Sequence, residues 1–267
     1  MGLRVDLAAG SNFNIRKKAG FCCLILSLVL ILSSCARAPV RPPAYPVTGE
    51  VIPQLPPTVL RQDIVHIVAP GETIWRISKM YDADMADIMA ANRLKKPEEL
   101  CMGQRLVVPQ AAPLRPVIPL YRSHKWRYLI VHHSATDEGN AFSLFNLHLR
   151  RGFAGLGYHF VIDNGTSGKA DGQIEASPRW VKQDDGAHCQ ASGMNHKGIG
   201  ICLVGNFSRE RVSEKQLDSL AYLVKTLMKY YNIPLRNVMG HGQVPGAKTE
   251  CPGKYFPWAR FKERIRH

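Results

Sequence analysis

The sequence predicts an α/β protein in which a small βααβ module precedes a larger domain. Residues 65–109 read as strand, helix, helix and strand in that order. Further along, two short apolar stretches, Tyr128–Val131 and Asn237–Gly240, read as strands that each lead into a histidine. Residues 213–231 carry apolar side chains at helical spacing. A proline-rich stretch at 36–57 precedes the module and is expected to behave as an extended tether, and a second proline-rich linker at 110–119 separates the module from the larger domain.

The composition limits the classes of protein that this chain can be. Its 267 residues suffice for one large domain or two smaller ones, and 45% apolar residues exclude a globally disordered chain. The formal net charge is +14, and the residues from Tyr121 onward carry 21 basic and 12 acidic side chains. Such a surface is typical of proteins with anionic partners, and a soluble basic surface without such a partner is the alternative. No basic run is interleaved with aromatic residues, so nucleic acid is not an expected partner.

The first 34 residues read as a targeting segment. Three basic residues, Arg16–Lys18, precede a mostly apolar run from Ala19 to Leu32. That run is too short to span a membrane comfortably and suits the core of a signal peptide. An ordinary cleaved signal and an uncleaved anchor remain the alternatives to the lipid-anchored form described next.

The end of this segment resembles a bacterial lipobox, since Leu32-Ser33-Ser34 leads directly into Cys35. The resemblance implies that Cys35 is acylated and becomes the first residue of the mature protein. Acyl chains would hold the protein on a membrane of the cell envelope. Ala36 stands where an aspartate favours inner-membrane retention in some bacteria. This residue favours the outer membrane, on its periplasmic side, and the inner membrane stays the alternative.

Cysteine usage does not indicate a disulfide-stapled fold. Of the seven cysteines, four follow Cys35, and they lack the dense spacing of a disulfide framework: Cys101, Cys189, Cys202 and Cys251. A single bridge between Cys189 and Cys202 stays open at this stage.

The βααβ module occupies residues 63–110, between linkers at 35–62 and 111–120. Thr73 is positioned to cap a helix that runs through Tyr81, and Asp84 to cap a second helix. The closing strand starts near Gly103 and is expected to stop at Pro109.

These residues resemble a LysM module. The motifs that carry the resemblance are His66-Ile67-Val68, Pro70-Gly71-Glu72-Thr73-Ile74-Trp75, Asn92 and Gly103-Gln104-Arg105-Leu106-Val107-Val108-Pro109. The resemblance implies binding of glycans that contain N-acetylglucosamine, hence of the peptidoglycan glycan strand. By the same resemblance, the glycan groove would use Gly71–Thr73 and the residues around Asp84–Ile88. The alternative is a structural domain without glycan affinity.

The larger domain is assigned to residues 121–267. Its clearest helix begins with a capping box of Ser213 and Gln216. The apolar side chains along this helix form one stripe that we expect to be buried: Leu217, Leu220, Ala221, Val224, Leu227, Met228 and Tyr231.

Three side chains of this domain form a reasonable zinc ligand set. His132 or His133 follows the first strand, His241 follows the later one, and Cys251 comes ten residues after His241. Two imidazoles and one thiolate suit tetrahedral zinc and leave a fourth position for water. Successive side chains alternate across a strand, so only one of His132 and His133 should bind. Residue type and spacing alone do not select these three as ligands.

Four motifs of the domain resemble the N-acetylmuramoyl-L-alanine amidase family, which includes peptidoglycan recognition proteins and phage amidases. They are Ile130-Val131-His132-His133-Ser134-Ala135-Thr136, Gly157-Tyr158-His159-Phe160-Val161-Ile162, Gly198-Ile199-Gly200-Ile201-Cys202-Leu203-Val204-Gly205-Asn206-Phe207, and Gly240-His241 with Thr249-Glu250-Cys251-Pro252-Gly253. The resemblance implies a central mixed sheet flanked by helices. It also implies Zn²⁺ bound by His132, His241 and Cys251, with Tyr158 as a catalytic residue.

The chain departs from some relatives near the predicted zinc site. Thr249 stands where phage members carry a catalytic lysine, and Lys248 lies one residue further back. Cys202 stands where the cytosolic recycling amidases carry an acidic base. Thr249 and Lys248 are therefore both retained as candidate catalytic residues. The resemblance also suggests that His188 binds substrate by lining the peptide groove. Asn195 is a further candidate for substrate binding, and a role in shaping a loop is its alternative.

The predicted function is zinc-dependent hydrolysis of the amide bond between N-acetylmuramic acid and L-alanine in peptidoglycan. The amidase groove would bind the stem peptide, the βααβ module would bind the glycan strand, and the lipid anchor would bind the membrane. Two alternatives remain. One is a peptidoglycan-binding protein that keeps the fold without turnover. The other is a thiol hydrolase that uses Cys251 with a histidine.

Overall fold

A five-stranded mixed sheet organises the larger domain, and a two-stranded sheet organises the βααβ module. A computed structural model describes residues 59–266 of the chain. The predicted targeting segment 1–34, the lipidation site Cys35 and most of the first linker lie outside the described residues. Within 59–266, none of the helices combines the length and the apolar character needed to cross a bilayer.

The βααβ module has the predicted element order. Strand β1 (Gln62–Ile67) pairs antiparallel with β2 (Arg105–Ala111), and helices α1 (Ile74–Tyr81) and α2 (Met85–Ala91) lie between them in the chain. Both predicted caps are confirmed, because the side chains of Thr73 and Asp84 accept hydrogen bonds from the first turns of their helices. Its core consists of fully buried aliphatic side chains, among them Val68, Ile74, Ile77, Ile88, Leu106 and Val108.

The closing strand is longer than predicted. The expectation that it stops at Pro109 is wrong, because β2 continues to Ala111. The register shifts between Gln62 and Ile64 of the partner strand, opposite this proline. Proline is tolerated at such an irregularity because the ladder does not need its missing N–H group.

The sheet of the larger domain is mixed, as the resemblance implied. Its strands lie in the order β5, β4, β6, β3, β7, and every neighbouring pair is parallel except β4 with β5. The strand bounds are β3 Tyr128–His133, β4 Phe160–Asn164, β5 Asp171–Ala176, β6 Gly198–Leu203 and β7 Val238–Gly240.

Five helices accompany this sheet. They are α3 Ala141–Arg150, α4 Pro178–Lys182, α5 Met194–Lys197, α6 Glu214–Tyr231 and α7 Trp258–Arg266. Helix α6 begins with the predicted capping box of Ser213 and Gln216. Five residues of its predicted stripe are buried, and Met228 and Tyr231 are partly buried against the same core. Each fully buried leucine of such a stripe contributes roughly 1.5–3 kcal/mol to folding.

Buried polar contacts join the βααβ module to the larger domain. Lys169 donates to the carbonyl of Ile67 at 2.6 Å and forms an ion pair with Glu175 at 2.7 Å. From the other side, Arg76 of helix α1 donates to the carbonyl of Ile174 at 3.0 Å. These contacts cross between regions that the sequence separates by a proline-rich linker.

The carboxylate of Glu72 completes this junction. It accepts hydrogen bonds from His66 at 2.7 Å and from the amide of Ala69 at 2.8 Å, and it lies 3.5 Å from Arg76. Burial by itself would raise the pKa of Glu72. The adjacent His66, Lys169 and Arg76 outweigh that effect and hold the pKa well below its usual range. Glu72 is therefore an internal partner of the junction, although it lies in the turn predicted to contact glycan.

A second carboxyl group beside the junction behaves in the opposite way. Asp163 of β4 is fully buried near Glu175 and Lys169. Burial raises the pKa of Asp163 well above its usual range, and the negative charge of Glu175 raises it further. The ammonium group of Lys169 thus interacts electrostatically with three buried carboxyl groups, those of Glu72, Asp163 and Glu175.

We predict that replacing Lys169 by methionine destabilises the protein strongly. The substitution leaves Glu175 and Glu72 with less compensating charge in a buried setting, which costs about 3–5 kcal/mol. For a domain of this size, that corresponds to a fall in Tm of roughly 6–20 °C. Thermal unfolding should be compared with Lys229→Met, which changes an exposed lysine of α6. Equal melting temperatures for both variants would contradict a stabilising role for the junction.

Candidate metal centre

Parallel pairing of β3 with β7 brings two histidines together. Val131 of β3 pairs with Gly240 of β7. His132 directly follows Val131, and His241 directly follows Gly240. Because the carboxyl ends of parallel strands meet at one edge of a sheet, both imidazoles lie at that edge. Their ring centroids are 4.7 Å apart.

The third candidate ligand reaches the same edge through a tight loop. After the short 3₁₀ turn His241–Gln243, the chain folds back so that the amide of Gly242 donates to the carbonyl of Cys251 at 2.7 Å. A side chain at Gly242 would collide with the carbonyl of Thr249. The loop therefore closes only with glycine at this position, and closure places Cys251 beside both histidines.

The three ligand atoms are close enough to share one ion. One nitrogen from each histidine and the sulfur of Cys251 all lie within 4.8 Å of one another. Cys251 Sγ is 3.7 Å from His132 Nδ1. Nitrogen and sulfur ligands of a tetrahedral zinc stand roughly 3.6 Å apart, from the usual bond lengths. The donor types and the spacing thus fit zinc and leave one coordination position for water or substrate.

Burial sets the electrostatics of these ligands. It lowers the pKa of His132 well below its usual range, and the nearby His188 and His241 lower it further. A neutral imidazole is the form that binds a metal. Without a bound cation, burial raises the pKa of Cys251 to about 12. The buried site therefore disfavours an isolated thiolate, and a divalent cation would supply the missing positive charge.

His133 supports the centre through its backbone. Its amide donates to Cys251 Sγ at 3.4 Å, whereas its ring nitrogen Nδ1 accepts from the amide of Phe207 at 3.1 Å. The alternation expected from the strand thus separates the two neighbouring imidazoles. His132 faces Cys251, and the His133 ring is committed elsewhere.

Tyr158 lies beside the three ligands. Its ring centroid is 5.2 Å from that of His132, and its side chain is half-buried. Burial raises the pKa of Tyr158 well above its usual range, with further contributions from Cys202 and Cys251. The hydroxyl therefore stays protonated and is available as a hydrogen-bond donor.

Cys202 occupies the strand position directly beside His132. The two residues are paired between β6 and β3, and Cys202 is fully buried. Burial raises the pKa of its thiol well above the usual range, so this group does not serve as a base near neutral pH. The described cysteines are free thiols, so the bridge between Cys189 and Cys202 left open by the sequence is not formed.

The remaining candidate catalytic residues lie on the exposed loop before Cys251. Thr249 accepts a hydrogen bond from the amide of Cys251 at 3.2 Å, and both Thr249 and Lys248 are exposed. The loop thus brings Thr249 next to a ligand. The catalytic roles of Thr249 and Lys248 stay predictions.

His188 and Asn195 are hydrogen-bonded to each other, and the His188 ring lies next to the candidate ligand His132. The side-chain oxygen Oδ1 of Asn195 accepts hydrogen bonds from the amides of His188 at 2.8 Å and Cys189 at 2.7 Å. The His188 ring is buried, and its Nδ1 lies 3.1 Å from His132 Nε2. Substrate contact by either residue stays a prediction. No sequence motif predicts the contact between His188 and His132. Gly186 and Gly200 border the His188 ring, and these two glycines are the feature of the sequence that could have indicated a buried ring here.

Comparison with known proteins supplies the family. Residues 122–254 match the family described as N-acetylmuramoyl-L-alanine amidase, and residues 66–109 match the LysM domain. The endolysin of Escherichia phage T7 is 32% identical over 133 residues, which are 46% of this chain and 78% of the endolysin. The chain therefore belongs to the N-acetylmuramoyl-L-alanine amidase family and carries a LysM domain ahead of the family region.

Other relatives include peptidoglycan-recognition proteins. Peptidoglycan-recognition protein 2 of Holotrichia diomphalia is 35% identical over 102 residues, which are 35% of this chain and 49% of that protein. Among solved structures, the N-acetylmuramoyl-L-alanine amidase LysC from Clostridium intestinale URNW is 30% identical. That match covers 57% of this chain and 95% of LysC, with a TM-score of 0.45.

We predict that Cys251→Ala removes most of the bound zinc. Loss of the sulfur leaves two imidazoles, which hold the ion with fewer and uncharged ligands. Zinc per chain should be measured by elemental analysis after dialysis against a zinc buffer, with Cys101→Ala as the matched control. Cys101 is an exposed free cysteine of the LysM domain. A full complement of zinc in Cys251→Ala would argue against the assigned ligand set.

Proposed function

We propose that this protein is a zinc-dependent amidase that hydrolyses the bond between N-acetylmuramic acid and L-alanine in bacterial peptidoglycan. The observation that carries the proposal is the convergence of one nitrogen each from His132 and His241 with the sulfur of Cys251, all within 4.8 Å. The family match and the endolysin relative support the same reaction. The candidate set provides three protein ligands, which is the number found at catalytic zinc sites, where the fourth position stays open for water or substrate.

The residues of the candidate metal centre would have different roles in amide hydrolysis. A zinc ion held by His132, His241 and Cys251 would supply Lewis acidity, which activates water and polarises a carbonyl. Attack of water on the amide carbon places negative charge on the carbonyl oxygen. The protonated hydroxyl of Tyr158, beside His132, is suited to donate a hydrogen bond to that oxygen. When the carbon–nitrogen bond breaks, the carbonyl carbon keeps the oxygen of the attacking water, and a proton released by that water goes to the departing amine of L-alanine.

The LysM domain is proposed to bind the glycan strand. Not all of its predicted groove is open to a ligand, because Glu72 is an internal partner of the junction. Gly71 also lies against the larger domain, where an added Cβ would be 3.2 Å from Pro178. Thr73, Asp84, Ala86 and Asp87 are exposed and have no such contact with the larger domain. Glycan contact within the predicted residues would therefore fall mainly on these four.

The proposed location is the cell envelope, with the chain anchored to a membrane through acylated Cys35. This proposal rests on the sequence of the N-terminal segment, because that segment lies outside the described residues. An anchored amidase with a glycan-binding domain would act on wall material within reach of its tether.

Two other activities make different predictions. A non-catalytic peptidoglycan binder would retain insoluble wall without releasing peptide. A thiol hydrolase would need a reactive thiolate, but burial raises the pKa of Cys251 to about 12. That pKa disfavours the thiol mechanism.

The proposal is tested by incubating the full chain with purified peptidoglycan and detecting new L-alanine amino termini by mass spectrometry. We expect release by the zinc-loaded protein, loss of release after treatment with a chelator, and recovery when zinc is returned. Binding without release by zinc-loaded protein would favour the non-catalytic alternative. Release that survives the chelator but is abolished by alkylation would favour the thiol hydrolase.

We also predict that Tyr158→Phe lowers kcat about 10²–10³-fold, because one hydrogen bond to the developing oxyanion is lost. The phenylalanine keeps the ring, so zinc content and KM should change little. Tyr222→Phe, at an exposed position of α6, is the matched control. An unchanged kcat in Tyr158→Phe would remove Tyr158 from the catalytic residues.

A further inference from the structure

We propose that His188 is a positioning residue of the metal centre, which holds His132 in the one tautomer able to bind a metal through Nδ1. The inference deepens the proposed function and rests on it for the reaction that the centre performs. His188 thereby has a contact with the candidate metal ligand His132, in addition to the substrate contact suggested by the family resemblance.

Hydrogen bonding determines which nitrogen of each ring carries the proton. His188 Nε2 lies 3.1 Å from the carbonyl oxygen of Gly198, which only accepts, so this nitrogen carries the hydrogen. In a neutral ring, Nδ1 of His188 is then the acceptor. It lies 3.1 Å from His132 Nε2, which must therefore donate. His132 Nδ1 is left with a free lone pair, and this is the atom 3.7 Å from Cys251 Sγ.

The surroundings keep both rings neutral. His132 is 1% exposed and His188 is 8% exposed. Among the described residues, no carboxylate hydrogen-bonds to either ring. Burial without an acidic partner disfavours the imidazolium form. The acceptor role of His188 Nδ1 therefore does not depend on a nearby charge.

Two glycines make room for the His188 ring. A Cβ at Gly200 would lie 2.5 Å from His188 Cδ2, and a Cβ at Gly186 would collide with the same atom. Neither glycine has the positive φ that would itself require glycine. The ring, rather than the backbone conformation, explains why these positions lack side chains.

The backbone around the ring is held as well. The Asn195 side chain accepts from the amides of His188 and Cys189. On the neighbouring strand, the amide of Gly200 donates to His159 Nδ1 at 2.9 Å. The His188 ring is thus held in place through its own backbone and through its contact with β6. Its hydrogen bond with His132 therefore has a defined direction.

Loss of this bond should weaken metal binding without removing a ligand. A histidine whose Nε2 has no acceptor populates both tautomers, and the form protonated at Nδ1 cannot bind a metal through that atom. Outer hydrogen-bond partners of metal-binding histidines typically account for 10–100-fold in affinity. We expect His188→Ala to lower zinc affinity by that factor.

The variants are chosen to separate hydrogen bonding from packing. His188→Asn places an amide oxygen near the position of Nδ1, so it should recover part of the affinity that His188→Ala loses. Gly200→Ala should displace the ring and lower the affinity while leaving His132, His188 and His241 unchanged in the sequence. His196→Ala removes an exposed imidazole of α5 and serves as the matched control. Zinc affinity is measured by competition with a chelator, and the ligand field by the visible spectrum of the cobalt-substituted protein.

The wild-type protein provides a test that no folding defect can obscure. Long-range ¹H–¹⁵N NMR of the zinc-free full chain should show His132 and His188 both protonated at Nε2. A His132 ring protonated at Nδ1 would overturn the proposal, as would wild-type zinc affinity in His188→Ala or equal losses in His188→Ala and His188→Asn. These readouts do not use amide hydrolysis, so they decide the role of His188 even if the proposed reaction fails its own test.

Discussion

The parallel pairing of β3 with β7 is the constraint on which the candidate metal centre depends. It aligns Val131 with Gly240 and so delivers His132 and His241 to the same edge of the sheet. Cys251 then needs only a short loop to reach them, and glycine at 242 lets that loop close. A slip of one residue in either strand would turn one imidazole to the opposite face of the sheet.

Buried polar groups are compensated in two different ways in this molecule. At the junction between the LysM domain and the larger domain, opposite charges meet directly, as in the pair of Lys169 with Glu175. Around the metal centre, neutral imidazoles relay hydrogen bonds from His132 through His188 to a backbone carbonyl. The first arrangement stabilises a contact between domains. The second leaves the ligand nitrogens uncharged, so that a cation would be the principal charge at the site.

The junction changes how the LysM domain is understood. A proline-rich linker suggests an independently moving module, yet Arg76 and Lys169 reach across it to backbone carbonyls of the other part. Glu72 belongs to the turn that is predicted to contact glycan, but its buried carboxylate is hydrogen-bonded to His66. It is therefore not available to bind a glycan. Any glycan bound at the exposed part of that turn would lie close to helix α4 of the larger domain.

Local chemistry in the sequence was sufficient for the helix caps at Thr73, Asp84 and Ser213, for the helical stripe of α6, and for the alternation that separates His132 from His133. These features depend on neighbours along the chain or on the period of a strand or helix. Family motifs were sufficient to nominate His132, His241 and Cys251 as ligands. Only the tertiary structure placed the Lys169 junction and the contact between His188 and His132, because both join residues that are far apart in sequence. Strand pairing, loop closure and burial, rather than local preference, decide which distant groups meet.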